Sequence, residues 1–415
     1  VNLSEAESYL YSLGNEVEAM KLGLENIRTL LAALGDPHNS YKKVQVAGTN
    51  GKGSVCAFLN SICVHAGIKT GLYTSPHLVS ITERIKIDGI DINEDEFARI
   101  ATLVRKKAET LLAEHELTYL PTFFEQVTAI ALVAFAEAGV ELAILETGLG
   151  GRLDATTAAK AEIAAITQIA LDHQEYLGET IEEITAEKAA IIGPQTQAVV
   201  IGQQEPSVIA VIESKAETRP LGSVFYVGRG ETPSLPLGFP PERLGLRGRH
   251  QIENAAIAVG LAVGLRKHFQ IREETIEEGL ENAFHPGRLE YIGCFLLDGA
   301  HNIAGAKALA AYLDEFVDKP ITMIFGAMKE KDVSGIAQIL WPRTERLILT
   351  RLNNSRSTTA DELSDFVPEN FDRERIVLTN SVEDAMTAAG SAGLVVVTGS
   401  LYLVGEVKRI LSFRI

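Results

Sequence analysis

Residues Val44–Cys56, VQVAGTNGKGSVC, constrain this chain more than any other stretch. A β-branched run, Val44-Gln45-Val46, stops at a loop with glycines at 48, 51 and 53, and the chain then enters an apolar, alanine-bearing segment that reads as a helix. Strand, glycine loop and helix in that order make a phosphate-binding loop. Glycines let backbone N–H groups turn inward without a Cβ in the way, the helix N-terminus adds partial positive charge, and Lys52 is long enough to reach a terminal phosphate. Ser54 is placed to touch a phosphate-bound Mg²⁺. The spacing departs from the common G-x-x-x-x-G-K-[ST] pattern, because Gly53 separates Lys52 from Ser54. The alternative is a plain Gly-rich turn, against which strand, lysine, serine and helix together argue.

With 415 residues and 46% hydrophobic content, the chain is long enough for more than one domain with its own core, at about 100–200 residues per domain. A formal net charge of -17 argues against DNA or RNA as the main partner, since nothing offsets phosphate repulsion over most of the surface. Cys56, Cys63 and Cys294 form no C-x-x-C pair, which suggests buried thiols in a reducing compartment. The N-terminal VNLSEAESYL has neither a basic nor an apolar signal region, and the apolar stretch Thr128–Leu145 is interrupted by Glu137, Gly139 and Glu141. Neither secretion nor a membrane span is expected, and the expected location is cytoplasmic.

Apolar residues at helical spacing predict two short helices within Ser4–Leu34. After the phosphate loop a helix to about Ala66 and a strand at Lys69–Thr74 are expected. Alternation marks Glu83–Asp88 as a half-exposed strand, and helices follow near Glu94–His115 and Phe123–Ala138. Strands at Leu142–Glu146, Glu162–Thr167 and Gln197–Ile201, with a helix at Ile181–Ile192, predict a mainly parallel sheet covered on both faces. Pro220–Pro241 reads as irregular chain or short antiparallel strands. Helices over about Gln251–Lys267 and Glu274–Ala283 lead to Phe284-His285-Pro286-Gly287, the expected boundary between a first domain of residues 1–285 and a second of 286–415. Strands at Tyr291–Leu297, Ile321–Phe325, Arg346–Leu349, Arg375–Leu378 and Leu394–Thr398 then alternate with helices as a second α/β domain.

Glu146 ends a buried strand and runs into Thr147-Gly148-Leu149-Gly150-Gly151-Arg152-Leu153-Asp154, while the next strand leads to Asp172-His173. Ligands of open parallel sheets bind outside the carboxyl ends of the strands, where this places a carboxylate, a glycine loop and an arginine. Glu146 and a hydroxyl suit hard Mg²⁺; His173 reads either as a metal ligand or as a hydrogen-bonded loop histidine, and Asp172 as a cap. In the second domain Asp298-Gly299-Ala300-His301-Asn302 also follows a strand. Asp298 can accept from ribose hydroxyls, and His301 and Arg288 can face phosphate; alternatively Asp298 and Asn302 are turn and helix caps.

Together these motifs resemble the folylpolyglutamate synthase and dihydrofolate synthase family, within the ATP-dependent Mur ligase superfamily. The resemblance rests on VAGTNGKGS (46–54), YTSPHL (73–78), ERIKIDG (83–89), TFFEQVT (122–128), ETGLGGRLDAT (146–156), LDH (171–173), EKAAI (187–191), GRHQIENA (248–255), HPGRLE (285–290), DGAHN (298–302), GAMKEKD (326–332) and GSLYLVGEV (399–407), which span nearly the whole chain in the family's order. It implies an α/β fold in which a P-loop central domain with a mainly parallel sheet joins a Rossmann-like α/β C-terminal domain, with ATP and substrate in the cleft between. By similarity Asn50, Gly51, Lys52, Gly53 and Ser54 hold the phosphates, and Asn254, Arg288 and Asp298 the rest of ATP. Ser75 and Glu146 resemble ligands of one Mg²⁺ and His173 a ligand of a second, while Lys188 sits where the family carries a carbamylated lysine. Phe123, Phe124 and Leu153 match the region lining the pterin pocket, and His301 and Ser400 resemble neighbours of the incoming glutamate. Lys52, Lys188 and His301 are thus the implied catalytic residues. Four positions depart from the family's pattern: Thr157 stands in place of a common asparagine, Gln168 and Ala170 in place of Asn and Gly before LDH, and Ile303 in place of a proline.

The implied chemistry is ligation. ATP phosphorylates a poor acyl donor, the carboxylate of dihydropteroate or a reduced folate, and the amino group of L-glutamate displaces phosphate to give an amide. The expected partners are therefore ATP, glutamate and folate-type substrates acting on a monomer, with one enzyme both adding the first glutamate and extending the tail. Tail extension alone, or another Mur-type ligation, is the alternative. Cell-wall Mur ligases carry a nucleotide-sugar domain before the phosphate loop, and about forty residues are too few for one. A non-catalytic nucleotide-binding scaffold predicts loss of Lys52, Glu146, His173 or Lys188, all of which are present.

Overall fold

Two parallel-rich sheets organise the protein. The structure is a computed structural model describing residues 2–14, 23–219, 221–228, 234–368, 371–390 and 393–412. It divides into one compact unit of Val1–His77, Ile81–Gly245 and Gln251–Phe284, and a second of Leu78–Ser80, Leu246–His250 and His285–Ile415.

In the first unit the chain runs through α1 (Leu3–Ser12), α2 (Glu25–Ala33), β1 (Lys42–Ala47), α3 (Lys52–His65), β2 (Thr70–Tyr73), β3 (Ile85–Ile87), β4 (Ile90–Asp91), α4 (Glu94–Ala113), α5 (Phe123–Ala138) and β5 (Leu142–Glu146). It continues through β6 (Ile163–Ile166), α6 (Gln174–Leu177), α7 (Ile181–Ala189), β7 (Ala198–Ile201), α8 (Pro206–Glu217), β8 (Ser223–Tyr226), α9 (His250–Leu265) and α10 (Glu273–Asn282). The strand order is β4-β3-β2-β5-β1-β6-β7-β8. From β2 to β8 all pairings are parallel, while β3 and β4 add antiparallel neighbours at one edge. Every residue of β5, β6 and β7 is buried, as a parallel sheet covered by helices on both faces requires. Flanking α5 is buried almost all round from Phe123 to Phe135, so it is a core helix rather than an amphipathic surface one. A capping box fixes its start: Thr122 Oγ1 accepts from the Glu125 N–H, and Glu125 Oε2 accepts from the Thr122 N–H, a device worth about 1 kcal/mol.

The order matters for function because β2, β5, β1 and β6 are neighbours and all run the same way. Their carboxyl ends therefore deliver the loops beginning at Thr74, Thr147, Gly48 and Thr167 to one side of the sheet, the side on which such folds bind ligands.

The second unit holds β9 (Glu290–Ile292), β10 (Phe295–Leu297), α11 (Ile303–Phe316), β11 (Ile321–Phe325), α12 (Val333–Leu340), β12 (Arg346–Thr350), α13 (Ala360–Ser364), β13 (Ile376–Thr379), α14 (Val382–Ala389), β14 (Leu394–Thr398) and α15 (Leu401–Ser412). Its strand order is β13-β12-β11-β14-β10-β9, parallel except for β9. The expected pairing of a P-loop α/β domain with a Rossmann-like one is the observed fold class.

Several local expectations need correction. Tyr291–Leu297 is not one strand: Gly293, at φ 60, turns the chain so that β9 and β10 pair antiparallel. Only Ile85–Ile87 of the expected strand at 83–88 is extended, because Ile81–Arg84 forms a tight 3-10 turn with a buried arginine. Within Pro220–Pro241, Ser223–Tyr226 is a parallel edge strand on β7; residues 220 and 229–233 lie outside the described residues. So do residues 15–22 of the expected N-terminal helices. The helix expected to reach Ile192 ends at Ala189. Cys56 and Cys63 are buried, but Cys294 is only half-buried. No described helix is long and apolar enough to cross a membrane.

Candidate active site

The phosphate loop is held from three sides. Gly51, at φ 89, admits no side chain, since a Cβ there would lie 2.3 Å from Asn254 Oδ1. From the end of β6, the Gln168 carbonyl accepts from the N–H groups of Thr49 (2.9 Å) and Asn50 (3.3 Å), and Thr167 Oγ1 donates to the Asn50 carbonyl (2.7 Å). From α9, Gln251 Nε2 donates to buried Ser54 Oγ (3.2 Å) and its Oε1 accepts from Asn254 Nδ2 (2.9 Å). Lys52 opens α3 and its Nζ donates to the Thr49 carbonyl at 3.2 Å, so its ammonium lies over the loop that it is expected to serve.

Around that loop the neighbouring strands place the predicted carboxylate and lysine. Glu146, at the end of β5, is 6% exposed, and its Oε2 accepts from the Ser75 N–H at 3.2 Å. Ser75 follows β2, so adjacent strand ends bring the two expected metal-side residues together. Lys188 of α7 is 4% exposed, with Nζ donating to the Gly48 carbonyl at 2.9 Å. Burial and, after it, the positive charge of Lys52 push its amine down to about 7, against the opposing pull of Asp172 and Asp154. His173, at φ 54, begins α6, and its backbone N–H donates to Asp172 Oδ1 at 3.0 Å. The N-cap of α6 is His173 and no side chain caps that helix, so Asp172 is not the cap that its sequence position suggested.

The glycine loop after β5 curls around one buried carboxylate. Asp154 accepts from the N–H groups of Leu149 and Thr156 (3.0 Å each) and from Thr156 Oγ1 (2.5 Å). Gly151 lies so close to α7 that a Cβ would meet the carbonyls of Glu187 and Lys188 at 2.7 and 2.8 Å, and the Arg152 N–H donates to the Glu187 carbonyl at 2.9 Å. The same helix thus carries Lys188 and anchors the loop that bears Leu153, which is half-buried. Phe124 packs on this loop, since a Cβ at Gly148 would stand 2.6 Å from its ring. Phe123 is 2% exposed and covered by Tyr11, stacked at 5.4 Å, and by the Arg84 guanidinium at 5.2 Å.

The second unit has its own cluster at the carboxyl ends of β10 and β14. Asp298 accepts through Oδ2 from the Leu289 N–H and through Oδ1 from the Ala300 N–H, both at 3.0 Å. Burial raises its carboxyl despite the opposing charge of Arg288. Asn302 caps α11 by accepting from the Gly305 N–H at 2.8 Å, as its alternative reading required. His301 Nδ1 is 2.8 Å from the Gly299 carbonyl; a carbonyl only accepts, so Nδ1 carries a proton in this contact. Buried Ser400 precedes α15, and its Oγ accepts from the Tyr402 N–H at 3.1 Å.

Comparison with known proteins agrees with this layout. The Mur ligase middle domain matches residues 46–262, and the dihydrofolate synthetase C-terminal domain matches residues 290–410. The Bacillus subtilis dihydrofolate synthase/folylpolyglutamate synthase is 32% identical over 98% of both chains. The chain belongs to the folylpolyglutamate synthase/dihydrofolate synthase family of the Mur ligase superfamily. A probable bifunctional folylpolyglutamate synthase/dihydropteroate synthase from Haloferax volcanii is 35% identical over 97% of this chain, which spans only 50% of that relative's length. The crystal structure of the Yersinia pestis bifunctional folylpolyglutamate synthase/dihydrofolate synthase, complexed with AMPPNP and Mn ion, superposes with a TM-score of 0.83 at 28% identity, covering 99% of this chain and 98% of that one.

Family membership makes the four sequence departures informative. Gln168 and Ala170 brace the phosphate loop through backbone atoms, Ala170 exchanging hydrogen bonds of 3.0 and 3.1 Å with Thr49 Oγ1. Ile303 opens α11, whose cap is made by Asn302. Thr157 donates through Oγ1 to the Gly151 carbonyl at 2.7 Å, a bond its hydroxyl can make without an asparagine. Sequence reasoning assigned no role to Gln251 or Gln45. The signal for Gln45 was available: a polar side chain in the middle of a buried strand needs partners.

Proposed function

We infer that this chain is an ATP-dependent ligase that joins L-glutamate to a folate-type carboxylate, adding the first glutamate to dihydropteroate and extending the tail of reduced folates. The observation that carries this reading is the convergence, at three adjacent strand ends, of the phosphate loop with Lys52, buried Glu146 beside Ser75, and the Lys188 amine of α7 on the Gly48 carbonyl. The relatives' names supply the substrate class. The enzyme, in this reading, works in the cytoplasm as a monomer.

In this reading the substrate carboxylate attacks the γ-phosphorus of ATP, the bond to ADP breaks, and an acyl phosphate forms. Lys52, the loop N–H groups and the N-terminus of α3 stabilise charge on the transferring phosphoryl group. The amino group of glutamate then attacks the acyl carbon and phosphate leaves. His301 takes the ammonium proton that must be lost first, and Ser400 helps hold the amino acid. Arg288, Asp298 and Asn254 bind the remainder of the nucleotide, and Phe123, Phe124 and Leu153 border the pterin.

The donor set fits Mg²⁺. Glu146 supplies a buried hard oxygen and Ser54 and Ser75 hydroxyls, while among the described residues no three His, Cys, Asp or Glu side chains gather into a closed metal cage. That suits an ion that takes one or two carboxylates and completes its shell with phosphates and water. Ser75 and Glu146 would hold one ion, and His173 with a carbamylated Lys188 a second. Bound there, Mg²⁺ would offset the charge of the phosphates. Carbamylation joins a neutral amine to CO₂ with loss of a proton, and a buried lysine held near 7 meets that requirement.

The test is phosphate release dependent on ATP and glutamate, measured against dihydropteroate, tetrahydrofolate and a UDP-muramoyl peptide. Turnover with the first two and none with the third is expected. Turnover with only the peptide overturns the reading, and turnover with tetrahydrofolate alone restricts it to tail extension.

A further inference from the structure

Gln45 lies in β1, three residues before the phosphate loop, and is 1% exposed. Its Nε2 is 2.8 Å from Thr157 Oγ1, 2.9 Å from Thr156 Oγ1 and 3.2 Å from Thr147 Oγ1. An amide nitrogen has two hydrogens, so three hydroxyls share two donors. The hydroxyls of Thr157 and Thr156 have already committed their own protons, to the Gly151 carbonyl (2.7 Å) and to Asp154 Oδ1 (2.5 Å). Both oxygens can then only accept, and the nitrogen end of the Gln45 amide supplies the donor. Thr147 directly follows Glu146, so the same amide touches the root of the strand end that carries the buried carboxylate.

The other anchors of the glycine loop are internal, lead to α7, or sit at its root, where the Thr147 N–H donates to the Val46 carbonyl of β1 at 3.0 Å. Gln45 reaches from β1 beyond that root to the far end of the loop, at Thr156 and Thr157. The geometry points to Gln45, through Thr156 and Thr157, as a positioning residue for the folate-side substrate. Resting on the ligase reading given above, it holds the loop around Leu153 in register with the phosphate loop, so that the carboxylate to be activated meets the γ-phosphate. A shift of one or two ångströms between the two loops lowers turnover while leaving nucleotide binding alone.

The experiment compares Gln45→Met, which keeps an unbranched shape without the donor, with Thr157→Val, which removes the hydroxyl, and Thr157→Ser, which keeps it. Gln45→Met and Thr157→Val should raise KM for dihydropteroate or tetrahydrofolate about tenfold and lower kcat, with KM for ATP changed less than about twofold. Thr157→Ser should match the wild type. Hydrogen–deuterium exchange of the amides in residues 148–157 should accelerate in the first two variants only. A lower Tm with unchanged folate KM and unchanged exchange overturns the proposal, as does a loss shared equally by folate and ATP. If Gln45→Met does not fold, the Thr157 pair decides alone. A wild-type chain inactive with every folate refutes the ligase reading instead, and exchange in the loop still judges the anchor.

Discussion

Lys188 in the first unit and Asp298 in the second are both buried ionisable groups at the carboxyl side of a parallel sheet, yet their surroundings treat charge in opposite ways. The ammonium of Lys188 meets a single carbonyl at 2.9 Å and the repulsion of Lys52, and its amine falls to about 7. The carboxyl of Asp298 is also pushed against ionisation by burial, but both its oxygens accept backbone N–H groups and Arg288 favours its charged form. The difference separates reactivity from bracing. A buried group whose charged form is poorly met is available for chemistry, whereas one whose hydrogen bonds are filled by the backbone shapes a turn first and touches ligand second.

The strongest way to break that contrast is Lys188→Ala. Loss of about 10³-fold or more in turnover is expected if an oxygen donor on Lys188 is part of the site, with partial recovery when a short carboxylic acid is added to fill the vacated position. The pH dependence carries a sign. CO₂ reacts with the neutral amine, whose fraction rises about tenfold between pH 6 and pH 8 for a group near 7. At fixed dissolved CO₂, an enzyme stripped of carbamate should regain activity faster at pH 8 than at pH 6. Full activity of Lys188→Ala, or an unmodified ammonium in an active metal-loaded enzyme by intact mass or crystallography, reduces Lys188 to a buried structural lysine.

Lys52→Ala sharpens the same contrast, because it removes the charge proposed to face phosphate and the second cause, after burial, of the depressed Lys188 amine. Turnover should fall about 10²–10³-fold with little change in Tm, since the lysine makes one hydrogen bond to the Thr49 carbonyl. The Lys188 amine should rise, so carbamate recovery should slow near neutrality. Near-normal turnover would show that the loop N–H groups suffice for phosphoryl transfer.

Asp298 tests the bracing side. Asp298→Ala leaves the buried N–H groups of Leu289 and Ala300 without their acceptor. About 2–4 kcal/mol of stability should be lost in urea unfolding, and added carboxylic acid should not restore activity. Asp298→Asn, which keeps one acceptor oxygen, should lose about half as much. An alanine variant as stable as the wild type would make Asp298 a ligand group rather than a brace.

The sequence exposed more of the framework than of its joints. The phosphate loop, Glu146 at a strand end and the restart of the α/β pattern after residue 285 were visible because apolar periodicity and glycine placement are local signals. The hairpin of β9 and β10 was missed although Gly293 marked it, since the apolar run on both sides of that glycine reads as one strand. The anchors of the site were hidden for a different reason. Gln45 and Gln251 act on partners about one and two hundred residues away, Gln45 on Thr156 and Gln251 on Ser54, and nothing local tells which polar residue fills which gap. Gln168 and Ala170, which depart from the family's pattern, contribute backbone atoms to the loop, a role that residue type does not reveal.

The smallest effect should come from the cysteines, and it guards the comparison against a wrong generalisation. Cys63 is fully buried in α3, and burial alone pushes its thiol up to about 12, a shift nearly as large in its own direction as that of Lys188. Cys56 is raised too, by burial first and then by Glu146. Neither thiol gains reactivity from this, because raising a thiol removes the nucleophilic thiolate, whereas lowering an amine frees its lone pair. Perturbation by burial therefore marks a reactive group only when the favoured form is the one the chemistry uses. Alkylation of the native protein with iodoacetamide should modify half-buried Cys294 and spare Cys56 and Cys63 until denaturant is added, and Cys294→Ser should change turnover less than about twofold. Rapid native labelling of Cys56 would mean that α3 opens beside the phosphate loop on the timescale of the experiment, and the fixed placement of Lys52 and Ser54 on that helix would have to be reconsidered.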